Sequence, residues 1–221
     1  MMSMKALRFN GKELGLDEVE KPSKNGESLV KVVLSGICNT DLEIVRGYAG
    51  FQGTIGHEFV GVVETSPDAP ALVGKRVVGE INVGCGQCGL CLNGDPRHCL
   101  ERTVLGIKGR DGAHAEFLTL PSRNLVTVPD EVPDSAAVFA EPLAAAFGIA
   151  EQVKLERDTK TAVIGDGKLG ILCAICAALD SDNVHLIGKH RPKLEIAEKQ
   201  GVEGILLDNL SPNLNKTFDV V

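Results

Sequence analysis

A chain of 221 residues that is 43% hydrophobic and 24% charged has the balance of one large or two modest globular domains, which excludes a disordered polymer. A net charge of −7, with one tyrosine and no tryptophan, argues against nucleic acid or an anionic membrane as partner. The opening MMSMKALRFNGKELG lacks an apolar signal core, and the longest apolar run, LGILCAICAAL, falls short of the ~20 residues that span a bilayer. A cytoplasmic location is therefore expected, where thiols stay reduced. Seven cysteines, an odd number, also fit that better than a disulfide framework.

The first part of the chain reads as short β segments. KALRF, SLVKVVLSGI, EFVGVVE, KRVVGEIN, HAEFLTL and LVTVP are branched or alternating runs separated by Gly, Pro, Asn and Asp, with NTDLEIVRG as a candidate turn of helix. An all-β, barrel-like domain is the expectation. Composition changes at PDEVPDSAAVFAEPLAAAFGIAEQV, where Pro129 and Pro133 end the β region and Asp134 or Ser135 can cap an Ala-rich helix. KTAVIGDGKLGILCAICAAL then predicts a strand, a tight glycine turn and an apolar helix. VHLIG follows as a second strand, RPKLEIAEKQG as an amphipathic helix ending at Gly201, and GILLD as a third strand. The order β-α-β-α-β marks a doubly wound parallel sheet, and domains are expected over 1–145 and 146–221. Asp219–Val221 reads as the opening of a further strand. A complete dinucleotide fold has about six strands, so the chain is expected to be a fragment or a shortened variant.

Four of the cysteines, Cys85, Cys88, Cys91 and Cys99, form C-x2-C-x2-C-x7-C among glycines. Thiolates so spaced can converge on one tetrahedral ion, and glycines let the backbone fold around it. An iron–sulfur cluster also suits x2 intervals; the longer gap before Cys99 favours zinc. A site closed by four protein ligands carries no chemistry of its own. A zinc-ribbon nucleic-acid module would need a basic face, which the acidic balance contradicts.

VIGDGKLG supplies G-x-G-x-x-G through Gly165, Gly167 and Gly170, after a predicted strand and at the opening of a predicted helix. In that context the first glycine permits the turn, the second admits a pyrophosphate and the third lets helix pack on strand. Lys168 and Leu169 are counted with the glycines as candidate cofactor-binding residues. Cys173 and Cys176, three apart on the helix that follows, read as core. At the end of the second strand, where an acidic residue selects NAD(H), stand Gly188, Lys189, His190 and Arg191. A small residue followed by cations leaves room and charge for a 2′-phosphate, which favours NADP(H) over NAD(H).

Cys38 in SGICNTDLEIVRG, His57 and Glu58 in GTIGHEFVGVV, and Glu141 in AVFAEPLAAA are weak signals one by one. In this order, with the four-cysteine segment and the glycine turn, they resemble the zinc-containing medium-chain dehydrogenases of the alcohol, polyol and threonine branches. The resemblance runs over nearly the whole chain. It implies a GroES-like β-barrel catalytic domain followed by a partial Rossmann domain. It also implies that Cys38, His57 and Glu141 hold a catalytic zinc, with Glu141 where alcohol dehydrogenases proper use a cysteine. Glu58 matches a carboxylate beside the metal that can exchange onto it, Thr40 the hydroxyl that takes the substrate proton, and the four clustered cysteines the ligands of a structural zinc. Glu43 departs from the pattern, since relatives often place there a histidine that ends the proton relay.

Three protein ligands on zinc leave a fourth position for water or an alcohol oxygen, which the ion acidifies. The implied activity is hydride transfer between a secondary alcohol or polyol-like small molecule and NAD(P), by a chain that forms homo-oligomers. The alternative is a truncated, inactive metal-binding remnant or pseudoenzyme of the same family.

Overall fold

The computed structural model describes residues 2–23, 26–210 and 217–221, and the chain divides into two units, Met1–Glu141 and Pro142–Val221.

In the first unit, β1 (Ser3–Phe9) pairs antiparallel with β2 (Leu14–Glu20), and Phe9 meets Gly53 of β4 (Gly53–Thr54). A five-stranded antiparallel sheet is built from β3 (Ser28–Gly36), β5 (Glu58–Thr65), β6 (Arg76–Gly79), β10 (Phe117–Leu120) and β11 (Leu125–Thr127), in the order β10-β3-β5-β6-β11. Three short strands, β7 (Asn82–Val83), β8 (Thr103–Leu105) and β9 (Gly109–Arg110), make a third sheet, and an isolated bridge pairs Ala6 with Ala115. Where a barrel is expected, the unit presents three separate sheets. Its core collects the inward residues of these strands, among them Val30, Phe59, Val63, Val77, Leu105, Leu118 and Leu120. Each such side chain contributes roughly 1.5–3 kcal/mol when removed from water.

Four short helices belong to or begin in this unit: α1 (Asn39–Val45), α2 (Gly89–Leu92), α3 (Asp134–Ala137) and α4 (Ala140–Phe147). The Ala-rich run is therefore two helices, and Pro133, not Asp134 or Ser135, occupies the N-cap position of the first. Pro142 lies in the first turn of α4, where its missing N–H has no helical partner to lose.

The second unit alternates β12 (Lys160–Ile164), α5 (Lys168–Ala177), β13 (Asn183–Gly188), α6 (Arg191–Glu198) and β14 (Glu203–Leu206), with the strands parallel in the order β12-β13-β14. Ile171, Ala174, Leu186, Leu194 and Ala197 close its core. The terminal segment returns to the free side of β12, where Val220 bridges Thr161 in parallel. The strand order thus reverses at β12, and the glycine turn follows that strand. In open α/β sheets this reversal is where ligands bind. Among the described residues no helix is long and apolar enough to cross a membrane.

Candidate metal centres and dinucleotide loop

The register of β3 against β5 builds the first site. Gly36, the last residue of β3, lies opposite Glu58, the first of β5, so the chain leaving β3 brings Cys38 beside His57 and Glu58. A side chain at position 36 would collide with the Glu58 carboxylate, which is why a glycine ends the strand. Cys38 is the N-cap of α1, and its N–H donates to Asp41 Oδ2 at 2.8 Å. One ligand atom each from Cys38, His57 and Glu58 lie within 4.8 Å of one another, and His57 and Glu58 are buried.

Behind the imidazole sits Asp41, 2% exposed, with Oδ1 3.3 Å from His57 Nδ1. His114 Nε2 lies 3.6 Å from Asp41 Oδ2, and its Nδ1 is 2.9 Å from Ser35 Oγ. Burial alone would push the His57 pKa down, but the close carboxylate of Asp41, helped by Cys38 and the charge of Glu141, lifts it to about 9. The Asp41 carboxyl, in turn, is held far below the usual carboxylate range: burial opposes this, and His114, His57 and the Cys38 N–H overcome it. A thiol, an imidazole braced by a carboxylate at its far nitrogen, and a second carboxylate make a donor set that suits zinc.

The second cluster gathers Cys85, Cys88, Cys91 and Cys99, and Cys99 is fully buried. The sulfurs of Cys85 and Cys91 are 3.9 Å apart and those of Cys88 and Cys99 3.7 Å, far beyond a disulfide. Four sulfurs at ~2.3 Å from a tetrahedral zinc would lie about 3.8 Å apart, so the observed spacing fits that ion. N–H groups of Cys88 and Cys85 point at the sulfurs of Cys85 and Cys99, each at 3.4 Å. The N–H groups of Gln87 and Cys88 hold the Cys85 thiol down at about 6. Although the Gly86 N–H works the other way, burial and the neighbouring sulfurs push Cys91 up to about 11. Cys85 and Cys91 are thus pulled in opposite directions within one cluster, and a divalent cation held there would favour the thiolate of both. Gly84 packs so tightly that an added Cβ would stand 2.7 Å from Cys91 Sγ.

In the second unit Gly165 has φ +115°, which other residues rarely adopt, and Gly167 is the N-cap of α5. A Cβ on Gly170 would strike the carbonyl oxygen of Gly165, so the third glycine is what lets α5 start flush against the loop. Leu169 is half exposed, and Lys168 is the first residue of α5. Gly188 is the buried last residue of β13, and Lys189 and His190 follow it, exposed.

Residues 24–130 match the alcohol dehydrogenase GroES-like domain. An L-threonine 3-dehydrogenase of Xanthomonas oryzae is 33% identical over 97% of this chain and 64% of its own length. A crystal structure of an Escherichia coli CFT073 alcohol dehydrogenase, rspB, complexed with NADH superposes with a TM-score of 0.84 at 31% identity, over 93% of this chain and 63% of that one. A zinc-binding dehydrogenase of Sinorhizobium meliloti bound to NADP gives a TM-score of 0.86 at 28% identity, over 97% and 65%. Residues 24–130 are thus an alcohol dehydrogenase GroES-like domain, and the chain as a whole is similar to alcohol, threonine and zinc-binding dehydrogenases. It spans somewhat under two thirds of the length of the relatives it matches.

In this dehydrogenase-like chain the residues singled out from sequence are distributed unevenly. Cys38, His57 and Glu58 form the compact donor group, whereas Glu141, expected as the third ligand, acts on His57 through its charge from the start of α4. Thr40, in the first turn of α1, has its Oγ1 3.6 Å from Cys38 Sγ. The Glu43 carboxylate pairs with Arg46, the C-cap of α1, at 2.7 Å. Sequence reasoning passed over Asp41, His114 and Ser35. The spacing of Cys38 and Asp41, N-cap and N3 of a helix, is a signal that could have found the first of these; no local pattern marks the other two.

Proposed function

We propose that the chain supplies the metal and dinucleotide sites of a zinc-dependent oxidoreductase that moves a hydride between a secondary alcohol or polyol-like substrate and NAD(H) or NADP(H). The observation that carries this reading is the convergence of Cys38 with the adjacent His57 and Glu58 from two separate segments, with Asp41 bracing the imidazole. Zinc held there supplies Lewis acidity, and a nicotinamide ring supplies the hydride acceptor. Cys38 and His57 are the first two ligands, and Glu58 and Glu141 are two carboxylates for the third place. Glu58 stands ready within the donor group. Asp41 keeps the His57 proton on the nitrogen that faces away from the metal. Thr40, whose hydroxyl lies beside Cys38, is the group that takes up the substrate proton. Glu43 remains a candidate for the next step of that relay, provided it leaves Arg46. Cys85, Cys88, Cys91 and Cys99 hold a second zinc that clamps their loop. Gly165, Gly167, Lys168, Leu169 and Gly170 cradle the pyrophosphate, with Gly188, Lys189 and His190 beside the adenosine ribose. Self-association and a cytoplasmic location belong to the same proposal.

Metal analysis of the purified chain, followed by turnover with both cofactors and a panel of secondary alcohols, polyols and L-threonine, tests the reading. Two zinc ions per chain and turnover that disappears in Cys38→Ser support it. A folded, metal-loaded chain that binds no cofactor and turns nothing over would instead be the non-catalytic member of the family.

A further inference from the structure

The x of the first G-x-G is Asp166, and its side chain reaches across the loop to the end of β13. Oδ2 accepts the N–H groups of Lys189 at 2.8 Å and His190 at 2.6 Å, and His190 Nδ1 lies 3.0 Å from the same oxygen. The side chain also fills the space above Gly188, where an added Cβ would stand 2.5 Å from Asp166 Cβ. Asp166 is 8% exposed, a charge held in place rather than waving in solvent.

Resting on the dinucleotide reading above, we infer that Asp166 is the specificity-determining residue of the site and that it selects NAD(H) over NADP(H). In doubly wound folds the choice is made at the end of the second strand, where a carboxylate accepts from the ribose hydroxyls and cations or open N–H groups receive a 2′-phosphate. Here that strand end is Gly188, which has no side chain to offer. The carboxylate arrives instead from the neighbouring glycine loop. Oδ1, whose one close partner among the described residues is the His190 ring at 3.2 Å, keeps acceptor capacity for a hydroxyl.

Most of the features that would welcome a 2′-phosphate are taken up. The room over Gly188 is filled by Asp166. The two N–H groups at the strand end, the natural anchor for phosphate oxygens, already hold an anion. The His190 ring faces the same carboxylate. Arg191 pairs with Glu198 and, at 3.5 Å, with Glu195 of its own helix. Lys189 is the cation of the three that remains for a phosphate, and it would share the site with a fixed negative charge. A 2′-hydroxyl can donate to that charge, whereas a 2′-phosphate is repelled by it. The inference opposes the preference for NADP(H) drawn from Gly188, Lys189 and His190 as a sequence, because Asp166 reaches that place only through space.

The test is the affinity of the full chain for NADH and for NADPH, read by nicotinamide fluorescence, in the wild type, Asp166→Asn and Asp166→Ser. Wild type is expected to bind NADH roughly tenfold tighter or more than NADPH. Asp166→Asn keeps the shape and the acceptor for both N–H groups but removes the charge, and is expected to narrow the ratio mainly by improving NADPH. Asp166→Ser also frees the N–H groups and is expected to go further, toward parity or reversal. Wild type binding NADPH as tightly as NADH, or a ratio unchanged in Asp166→Asn, overturns the assignment while leaving the dinucleotide site intact. A wild type that is folded by circular dichroism and binds neither cofactor overturns the dinucleotide reading, and this inference with it. Because Asp166→Asn preserves the loop's hydrogen bonds, it carries the test even where Asp166→Ser fails to fold.

Discussion

Oδ1 of Asp41 lies 3.3 Å from Nδ1 of His57, and both side chains are 3% exposed. A buried imidazole that faces a carboxylate at one nitrogen is fixed in tautomer and in ring orientation, so the other nitrogen is presented as a ligand. The same carboxylate accepts the Cys38 N–H, so one side chain orients two of the three clustered donors.

Asp41→Asn is therefore expected to weaken metal binding at this centre by about 10- to 100-fold, the usual cost of removing such a support. Competition with a chelator measures it, and the four-cysteine site serves as internal control. Unchanged affinity would mean that the backing carboxylate does not position the ligands.

Asp41 also shows where sequence reasoning stops. The glycine turn was legible because its spacing is local and each glycine answers a local backbone demand: the positive φ at Gly165 and the close approach at Gly170. The four clustered cysteines were legible for the same reason. β2 escaped notice because LGLDEVE pairs on one edge of β1 and no residue in it is buried, so it carries no alternating apolar signature. His114 reaches Asp41 across the fold from a loop far along the chain. Asp166 caps the end of a strand that follows it by a whole helix. Such relations come from register and crossover, which a linear pattern does not contain.

The spacing of the four sulfurs predicts that their metal is structural. Structural zinc contributes about 10–16 kcal/mol of binding free energy to the fold that holds it. Cys99→Ala, at a fully buried ligand, is expected to lower the metal content by one ion per chain and to expose residues 84–99 to hydrogen exchange. Retention of both ions, or protection of that loop as in the wild type, would contradict the clamp.

Arg110 and Glu27 form a two-pronged ion pair at 2.7 and 2.9 Å, with side chains only 7% and 10% exposed. Removing one partner strands the other charge, so Glu27→Ala is expected to cost about 3–5 kcal/mol in urea unfolding. The double change Glu27→Leu with Arg110→Met removes both charges and is expected to recover most of that loss. A double variant no more stable than the single one would show that the pair itself, rather than the stranded charge, sets the cost.

Acid should weaken the tie between the glycine loop and β13. Burial would raise the pKa of Asp166, but the N–H and ring of His190 and the N–H of Lys189 bring it below its ordinary value. A carboxyl with a lower pKa in the folded chain than in the unfolded one stabilises the fold in full above the ordinary carboxylate range, about 4. As the pH falls through that range, the unfolded chain takes up the proton first and the contribution shrinks. It is gone once the folded chain is protonated too. The urea midpoint of the wild type is thus expected to exceed that of Asp166→Asn at pH 7, with the gap closing progressively toward pH 3. Taking the difference between the two proteins cancels the acid sensitivity of the metal sites, which both share. A gap that stays constant over that interval would mean that Asp166 holds the loop by its shape alone and that its charge contributes nothing there.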